Sequence, residues 1–245
     1  MKCVILAAGY ATRMYPLTEN FPKPLLEVGG RTIMDRLLDD IETIEQIDEC
    51  VVVTNHRFIA HFEDWKSRQS DRRFSIDVLD DGSTENDNRL GAVKDLDFAI
   101  GECNIDDDVL VLAGDNLLDF SLKGYVEFFV EKNHSSIMYY YEPELDRLRR
   151  TGVIDIDGEG KVLSMQEKPQ NPVSNYAVPP FYIYAKDDLH WIREAVVSGV
   201  NVDAPGNLLS KMCQYCEVYA FNMPGKRIDV GCLADYEKIK DCTNF

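Results

Sequence analysis

The chain has 245 residues, and 43 acidic against 26 basic side chains give it a formal net charge of −17 at pH 7. This balance argues against DNA or RNA as a partner, because binding a polyanion requires a basic surface. With 45% hydrophobic residues the chain is able to bury a core, which excludes global disorder. The sequence contains no apolar run long enough to span a membrane, and we expect its short apolar N-terminus not to act as a signal peptide.

The charge is distributed unevenly along the chain. Residues 1–36 contain five basic and three acidic side chains, residues 37–120 seven and twenty-two, and residues 121–245 fourteen and eighteen. The first segment is therefore the one with a positive balance, which favours an anion-binding site there. The acidic middle segment is interpreted as a solvated surface.

The seven cysteines have no regular spacing, which is typical of reduced thiols in the cytoplasm rather than of a disulfide framework. Cys213 and Cys216 form a CxxC sequence, but no second pair follows at the spacing of a zinc finger. We therefore expect this pair to pack at the end of an apolar helix.

Strands and helices alternate in the first half of the predicted chain. Strands are predicted over residues 2–8, 50–54, 75–79 and 109–113, and helices over 32–44, 59–65, 90–100 and 122–132. Such a βαβ series implies a parallel sheet with right-handed crossovers.

The second half adds strands that resemble hairpins. Strands are predicted over residues 136–141, 152–156, 162–167, 177–184 and 217–221, and helices over 189–197, 205–214 and 233–241. No repeat or linker separates the halves, so a single domain over residues 1–245 is predicted. The fold class is α/β, a Rossmann-like three-layer sandwich with a mostly parallel, mixed central sheet.

The loop after the first strand combines small residues with fixed cations. Small side chains at positions 7, 8, 9 and 11 allow backbone N–H groups to approach a phosphate closely. Arg13 and Lys23 add positive charge, and Pro16, Pro22 and Pro24 stiffen the loop. The loop lacks both G-x-G-x-x-G and the Walker sequence, so an anion site of another type is predicted.

The same loop resembles the signature of the sugar-1-phosphate nucleotidylyltransferases, and within them the glucose-1-phosphate thymidylyltransferase branch. The matching residues are Leu6-Ala7-Ala8-Gly9, Thr12-Arg13, Pro16-Leu17-Thr18 and Pro22-Lys23-Pro24-Leu25. The resemblance implies the nucleotide-diphospho-sugar transferase type of fold. This chain differs at Ala11, where the family usually has a second glycine, and at the bulky Tyr10.

The resemblance also implies a set of site residues. Asp115 and Asp229 would bind a catalytic Mg²⁺, a cation suited to one or two carboxylates plus substrate phosphates. The residues implied to bind the nucleotide are Leu6, Ala7, Ala8, Gly9, Tyr10, Ala11, Thr12 and Gly91. Those implied to bind the sugar phosphate are Gly152, Glu167, Lys168 and Asn175. Pro179-Pro180 departs from the small polar and glycine residues usual in the family.

The implied reaction couples a nucleoside triphosphate to a sugar 1-phosphate and releases pyrophosphate. Arg13, Lys23, Asp115 and Lys168 are the implied catalytic residues. Arg13 would stabilise pyrophosphate, Lys23 the α-phosphoryl region and Lys168 the incoming phosphate. No general base is needed, because the attacking phosphate is already ionised. The sequence leaves the base, the sugar and the formation of a homo-oligomer open.

Three alternatives remain beside this hypothesis. A nicotinamide-dependent dehydrogenase is disfavoured by the missing glycine fingerprint. A cytidylyltransferase acting on a sugar phosphate or on an alcohol phosphate such as phosphocholine is compatible with the compact length. A non-catalytic nucleotide-sugar-binding regulatory protein is disfavoured because the candidate catalytic residues occur together.

Overall fold

The computed structural model describes residues 1–199 and 203–243. Its α-helices are α1 (Ile33–Glu42), α2 (Ile59–Ser67), α3 (Ala92–Glu102), α4 (Lys123–Lys132), α5 (Leu145–Leu148), α6 (His190–Val197), α7 (Pro205–Met212) and α8 (Leu233–Ile239). Its strands are β1 (Lys2–Leu6), β2 (Glu27–Val28), β3 (Arg31–Thr32), β4 (Glu49–Thr54), β5 (Ser75–Asp80), β6 (Val109–Ala113), β7 (Asn116–Leu118), β8 (Ser136–Tyr141), β9 (Gly152–Ile156), β10 (Val162–Glu167), β11 (Tyr176–Val178), β12 (Phe181–Tyr184), β13 (Tyr219–Asn222) and β14 (Arg227–Asp229).

The chain groups into two compact units, neither of which is a continuous segment. Unit 1 comprises Met1–Arg89, Ala113–Lys123 and Pro224–Phe245, and unit 2 comprises Leu90–Leu112 and Gly124–Met223. The chain crosses from one unit to the other four times, so no single cut in the sequence separates them. A single catalytic domain over residues 1–245 stays a prediction.

Unit 1 contains the parallel strands that the βαβ pattern predicts. Strands β1, β4 and β5 pair in parallel, in the order β1-β4-β5, with Val4 opposite Val51 and Val51 opposite Asp77. β1 and β4 are runs of buried, mostly β-branched side chains, which suit a strand covered on both faces. Because the strands are parallel, the loops that follow β1, β4 and β5 leave the same edge of the sheet.

Helix α1 shows why the sequence turns from strand to helix after β3. The Thr32 hydroxyl accepts a hydrogen bond from the Asp35 N–H and caps the helix, a contact usually worth about 1 kcal/mol. Ile33, Leu37 and Ile41 recur at helical spacing and are buried on one face. The predicted helix over residues 32–44 is thereby confirmed, with its ends shifted inwards.

Two small antiparallel pairs in unit 1 have no counterpart in the sequence prediction. β2 and β3 form a tight hairpin, and β7 pairs with β14, more than a hundred residues later. Each strand has only two or three residues, too few to show a hydrophobic period. The β7–β14 pair matters for function because it aligns the segments that contain Asp115 and Asp229.

Unit 2 contains the antiparallel strands predicted for the second half. Its strands follow the order β10-β9-β11-β8-β12-β6 up to Leu112, with antiparallel neighbours throughout, and β13 pairs with β8 in parallel. All four side chains of β12 are buried, as are the inward residues of β9 and β11. The hydroxyl of the fully buried Tyr125 donates to the Ser136 carbonyl oxygen at 2.6 Å, so its polar end is satisfied.

The prediction of one continuous strand over residues 177–184 was wrong. The structure divides it into β11 and β12, with Pro179-Pro180 between them. Proline has no N–H to donate to a neighbouring strand, so two in succession interrupt the ladder. The Phe181 N–H instead donates to the Pro179 carbonyl oxygen across the break.

The cysteines are free thiols, as expected, and the CxxC pair lies at the end of α7. Burial raises the pKa of Cys213 to about 11 and that of Cys216 to about 12, so both stay protonated at neutral pH. Over residues 1–199 and 203–243 there is no group of three or more metal-binding side chains. In the same ranges, none of the helices has the length and apolar character needed to cross a membrane.

Candidate active site

The loop after β1 is held against its neighbours just before an open glycine. The Ala7 N–H donates to the Val53 carbonyl oxygen, and the buried Asn55 amide donates to the Ala8 carbonyl oxygen at 3.0 Å. Gly9 is exposed, and a Cβ placed there would meet no atom within 4 Å. The backbone is therefore fixed at Ala8 and accessible at Gly9, which is what a phosphate needs in order to bind main-chain N–H groups.

Tyr10 and Ala11 explain how the loop turns without the usual second glycine. The Tyr10 ring is buried against Phe58, and its hydroxyl lies 3.3 Å from the Ser83 hydroxyl. Ala11 has a φ of 46° and a ψ of 40°, the left-handed region that glycine adopts most easily. The buried Thr18 hydroxyl donates to the Ala11 carbonyl oxygen at 2.9 Å and closes the loop. The bulky side chain is thus directed into the core, and the strained turn is held in place.

Arg13 and Lys23 have different environments. Arg13 lies in the 3₁₀ turn Thr12–Met14, is exposed, and has no ion pair or hydrogen bond within the part of the chain that the structure describes. Lys23 begins the 3₁₀ turn Lys23–Leu25, between the buried Pro22 and Pro24, and is buried itself. Arg13 is therefore available to an external anion, whereas Lys23 has internal partners.

Asp115 and Asp229 meet because of the β7–β14 pair. Asp229 ends β14 directly opposite Asn116, the residue after Asp115. The Lys23 ammonium lies between the two carboxylates, 2.7 Å from Asp115 Oδ2 and 3.2 Å from Asp229 Oδ1. The structure thus brings together three predicted site residues that lie up to 206 positions apart in the sequence.

Asp115 also lies next to the start of the loop after β1. The Gly114 N–H donates to the carbonyl oxygen of Leu6, the last residue of β1, at 3.0 Å. A Cβ at Gly114 would come within 3.2 to 3.4 Å of Ile5, Met34 and Ala7, so the close approach favours glycine. A cluster of buried side chains adds to this junction: Met14 follows Arg13, Val230 follows Asp229, and both pack with Leu26.

Two residues absent from the predicted site hold Asp115 in place. The Asn116 amide donates to Asp115 Oδ1 at 2.9 Å, and the Arg227 guanidinium donates to Asn116 Oδ1 at 2.6 Å. Asn116 is 1% exposed, so its orientation is fixed by these partners. The only signal in the sequence was that Asn116 follows Asp115, and no local pattern pointed to Arg227.

The donor set fits a small divalent cation bound together with phosphates. Asp115 and Asp229 present carboxylates that are 36% and 49% exposed, so both are open to a ligand from solvent. Two carboxylates do not fill the coordination of Mg²⁺, which usually completes it with water and substrate phosphates. That the two carboxylates share one ammonium shows that this point attracts positive charge.

In unit 2, Glu167 and Lys168 lie at the end of β10, beside the start of β9. Glu167 is opposite Gly152 in the strand pair, and Lys168 has a φ of 47°, with its N–H donating to the Thr151 carbonyl oxygen. The Lys168 side chain is 60% exposed, and its ammonium lies 3.6 Å from Glu167 Oε1. Burial raises the pKa of Glu167, and the neighbouring Lys168 opposes part of that rise.

The two glycines near Glu167 make room for packed side chains. A Cβ at Gly152 would overlap the Met165 methyl group, and one at Gly206 would overlap the Glu167 carboxylate. Gly206 lies in the first turn of α7, where the partial positive charge of a helix N-terminus favours a carboxylate. Gly206 was not among the predicted site residues, because a glycine early in a helix has no pattern that reveals a close approach.

The remaining predicted residues have structural partners. The Asn175 amide donates to the Glu142 carbonyl oxygen at 2.8 Å. Gly91 precedes α3 with a φ of 93° and a ψ of 152°, a backbone conformation that only glycine adopts readily. Ligand binding by Asn175, Gly91 and Gly152 stays a prediction.

Comparison with known proteins agrees with this geometry. A family model described as nucleotidyl transferase matches residues 2–243. The bifunctional protein GlmU of Methanococcus aeolicus is 35% identical in an alignment of 178 positions that covers 71% of this chain and 38% of that protein. The UTP–glucose-1-phosphate uridylyltransferase of a Synechocystis species is 29% identical in an alignment of 251 positions that covers 96% of this chain and 61% of that protein. This chain therefore spans only about two fifths to three fifths of the length of these relatives.

Solved structures show the same fold. A UDP-glucose pyrophosphorylase crystallised with UDP-glucose has a TM-score of 0.81 and 20% identity, covering 98% of this chain and 97% of that one. The predicted α/β fold of the nucleotide-diphospho-sugar transferase type, with a mixed sheet and flanking helices, is thereby confirmed. Since the family model covers nearly every residue, the chain belongs to the nucleotidyl transferase family.

Proposed function

We propose that this chain transfers a nucleotidyl group from a nucleoside triphosphate to a sugar 1-phosphate and releases pyrophosphate. The observation that carries the proposal is the meeting of Lys23, Asp115 and Asp229, with Asp115 joined to the start of the open phosphate loop through Gly114. Family membership and the name of the Synechocystis relative support it over a cytidylyltransferase or a non-catalytic binding protein.

The reaction is a displacement at the α-phosphorus. An oxygen of the ionised sugar phosphate attacks in line, the bond from the α-phosphorus to the bridging oxygen breaks, and pyrophosphate leaves with that oxygen and the electron pair. No proton has to be removed, so the site needs positioning and charge neutralisation more than acid–base groups. Two unit charges of the same sign 4 Å apart repel by about 4 kcal/mol at an effective dielectric constant of 20.

The chain's own groups meet that requirement. The backbone around Gly9 binds the triphosphate, and the exposed Arg13 stabilises the leaving pyrophosphate. Asp115 and Asp229 would hold Mg²⁺, which when bound would supply further charge neutralisation on the phosphate oxygens. Lys23 acts at the α-phosphoryl region, Lys168 binds the sugar phosphate, and Glu167 accepts a hydrogen bond from a sugar hydroxyl.

The first experiment measures pyrophosphate release with four nucleoside triphosphates, a panel of phosphorylated sugars and alcohols, and Mg²⁺. dTTP is tested first because of the resemblance to the thymidylyltransferase branch. UTP is tested beside it because of the uridylyl name of the Synechocystis relative. Alcohol phosphates as the preferred acceptors would favour the cytidylyltransferase alternative. Stabilisation by nucleotide without pyrophosphate release would favour a binding protein. Loss of turnover in EDTA, restored by Mg²⁺, tests the cation requirement.

A cytoplasmic location stays a prediction.

Arg13→Ala is the sharpest variant for this function. Arg13 is exposed and has no internal partner among residues 1–199 and 203–243, so its removal leaves stability unchanged. Removing one well-placed charge contact lowers kcat/KM by roughly 10²–10³. Arg68→Ala is the control, since Arg68 is also exposed but follows the last residue of α2, where it forms an ion pair with Asp64. Full turnover by Arg13→Ala, or by Asp115→Ala, would contradict the assignments.

A further inference from the structure

The Lys23 ammonium is a built-in counter-ion for the candidate cation site. It lies within hydrogen-bond distance of both carboxylates, 2.7 Å from Asp115 and 3.2 Å from Asp229. Its side chain is 8% exposed, whereas the two carboxylates are 36% and 49% exposed. The ammonium is thus enclosed by protein, and the carboxylates still face solvent.

The backbone on all sides of this cluster is fixed. Lys23 lies in a turn closed by two hydrogen bonds, from the Leu25 N–H to the Pro22 carbonyl oxygen and from the Leu26 N–H to that of Lys23. Asp115 is oriented by Asn116, and Asp229 ends a paired strand. If the carboxylates exchange the ammonium for another partner, the group that moves most is therefore the long, flexible side chain of Lys23.

A divalent cation and the ammonium compete for Asp115 and Asp229, because both are positive and both are neutralised by these two carboxylates. Asp115 and Asp229 would supply carboxylate oxygens to Mg²⁺, a cation that takes oxygen ligands, and would then neutralise the lysine less well. At separations of about 4 Å like charges repel by several kcal/mol even at an effective dielectric constant of 20. Only an added anion can keep both cations in the site, and the triphosphate is such an anion.

We infer that Lys23 and the divalent cation are alternative partners of Asp115 and Asp229, so that the cation binds tightly only together with the nucleotide. Without nucleotide the ammonium neutralises the carboxylates and weakens cation binding. When the nucleotide and the cation bind together, the phosphates take over the ammonium and the carboxylates are released to the cation. This inference rests on the proposed function for the identity of the anion.

The test is Mn²⁺ binding to the nucleotide-free protein, which is measured through the EPR signal of free Mn²⁺. Lys23→Met removes the competing ammonium, and we expect Mn²⁺ to bind at least tenfold more tightly than to the unsubstituted protein. Lys66→Met is the matched control: it changes the net charge equally and removes the ion pair with Asp77, but leaves the site intact. It should change Mn²⁺ affinity less than twofold. Adding Asp229→Asn to Lys23→Met should abolish the gain.

An Mn²⁺ affinity of Lys23→Met equal to that of the unsubstituted protein would overturn the inference. If Lys23→Met does not fold by circular dichroism, Lys23→Gln repeats the test with a polar side chain. The unsubstituted protein supplies an independent arm. Without nucleotide it should bind Mn²⁺ only weakly, and tight binding that Asp229→Asn removes would also overturn the inference. Pyrophosphate release is scored separately, so a failure of the proposed function is distinguishable from a failure of the Lys23 inference.

Discussion

Ala11 adopts a backbone conformation that disfavours any residue with a side chain. Its φ of 46° places it in the left-handed region, where a Cβ costs roughly 1–2 kcal/mol. The hydrogen bonds from the Met14 N–H and the Thr18 hydroxyl to the Ala11 carbonyl oxygen hold it there. The resemblance marked this position as a departure from the family glycine, and the structure gives the conformational reason for that glycine.

We therefore expect Ala11→Gly to stabilise the protein by about 1 kcal/mol, because glycine avoids the left-handed penalty. Ala8→Gly is the control on the same loop, since Ala8 does not have a positive φ. It should instead destabilise the protein by at least 0.5 to 1 kcal/mol, the usual order for Ala to Gly. Urea unfolding of both variants measures the difference. Equal losses of stability in the two variants would contradict a strained Ala11.

Ionisation of the partly buried Glu167 carboxyl group lowers the stability of the fold. Burial raises its pKa, with Lys168 opposing part of the rise. The folded state therefore holds this proton more tightly than the unfolded chain does. The resulting stabilisation is present below the ordinary glutamate pKa and is lost as the pH rises through the raised value. Above that raised value the folded state contains a charged, partly desolvated carboxylate, which suits a residue retained for binding.

Glu167→Gln removes that ionisation, so we expect the variant to unfold at higher urea concentration than the unsubstituted protein at pH 7. The advantage should shrink as the pH falls towards 4, where the carboxyl group of the unsubstituted protein is protonated. Glu159→Gln, on the exposed turn before β10, is the control and should show no such pH-dependent difference. An advantage of Glu167→Gln that is the same at pH 4 and pH 7 would contradict the role of ionisation.

At the scale of elements, the short β7–β14 pair organises the candidate cation site. It sets Asp229 opposite Asn116, and the Arg227 guanidinium holds the Asn116 amide that orients Asp115. Arg227 acts through Asn116 and is therefore a positioning residue. Residues that orient metal ligands from outside typically contribute 10- to 100-fold to metal affinity or activity.

We expect Arg227→Met to lower kcat about tenfold and to raise the Mg²⁺ concentration needed for half-maximal rate, with little change in KM for the sugar phosphate. Lys226→Met is the control, because its side chain is exposed and its hydrogen bonds with Asp119 are made by its backbone N–H and carbonyl oxygen. It should leave both parameters within about twofold. A purely structural role for Arg227 would lower stability without changing the Mg²⁺ dependence.

The elements with a clear hydrophobic period were predictable, and the short ones were not. The apolar runs of β1 and β4 and the spaced apolar residues of α1 revealed their elements, because those patterns come directly from burial. The pairs β2–β3 and β7–β14 gave no such signal. Asp115 and Asp229 came from the resemblance, but their shared partner Lys23 depends on long-range packing that no local pattern contains.

At the scale of the whole molecule, the charge distribution has two opposing effects on an anion that approaches the protein. Under the proposed function, we expect the net charge of −17 to repel the nucleoside triphosphate at long range, and the exposed Arg13, in the positively charged segment of residues 1–36, to attract it at short range. Salt separates the two effects, because the screening length falls from about 30 Å at 0.01 M to about 10 Å at 0.1 M ionic strength.

We expect the association rate of a fluorescent nucleoside triphosphate analogue to rise several-fold between about 0.01 and 0.1 M KCl, as the long-range repulsion is screened first. Towards about 0.5 M the rate should fall, because the attraction by the loop cations is then screened as well. Stopped-flow mixing at constant free Mg²⁺ measures the rate, and Arg13→Ala supplies the comparison. That variant should keep the rise at low salt, which depends on the net charge, and lose most of the later fall, which depends on the loop. A rate that falls steadily from the lowest salt would mean that the local cations outweigh the net charge at every distance.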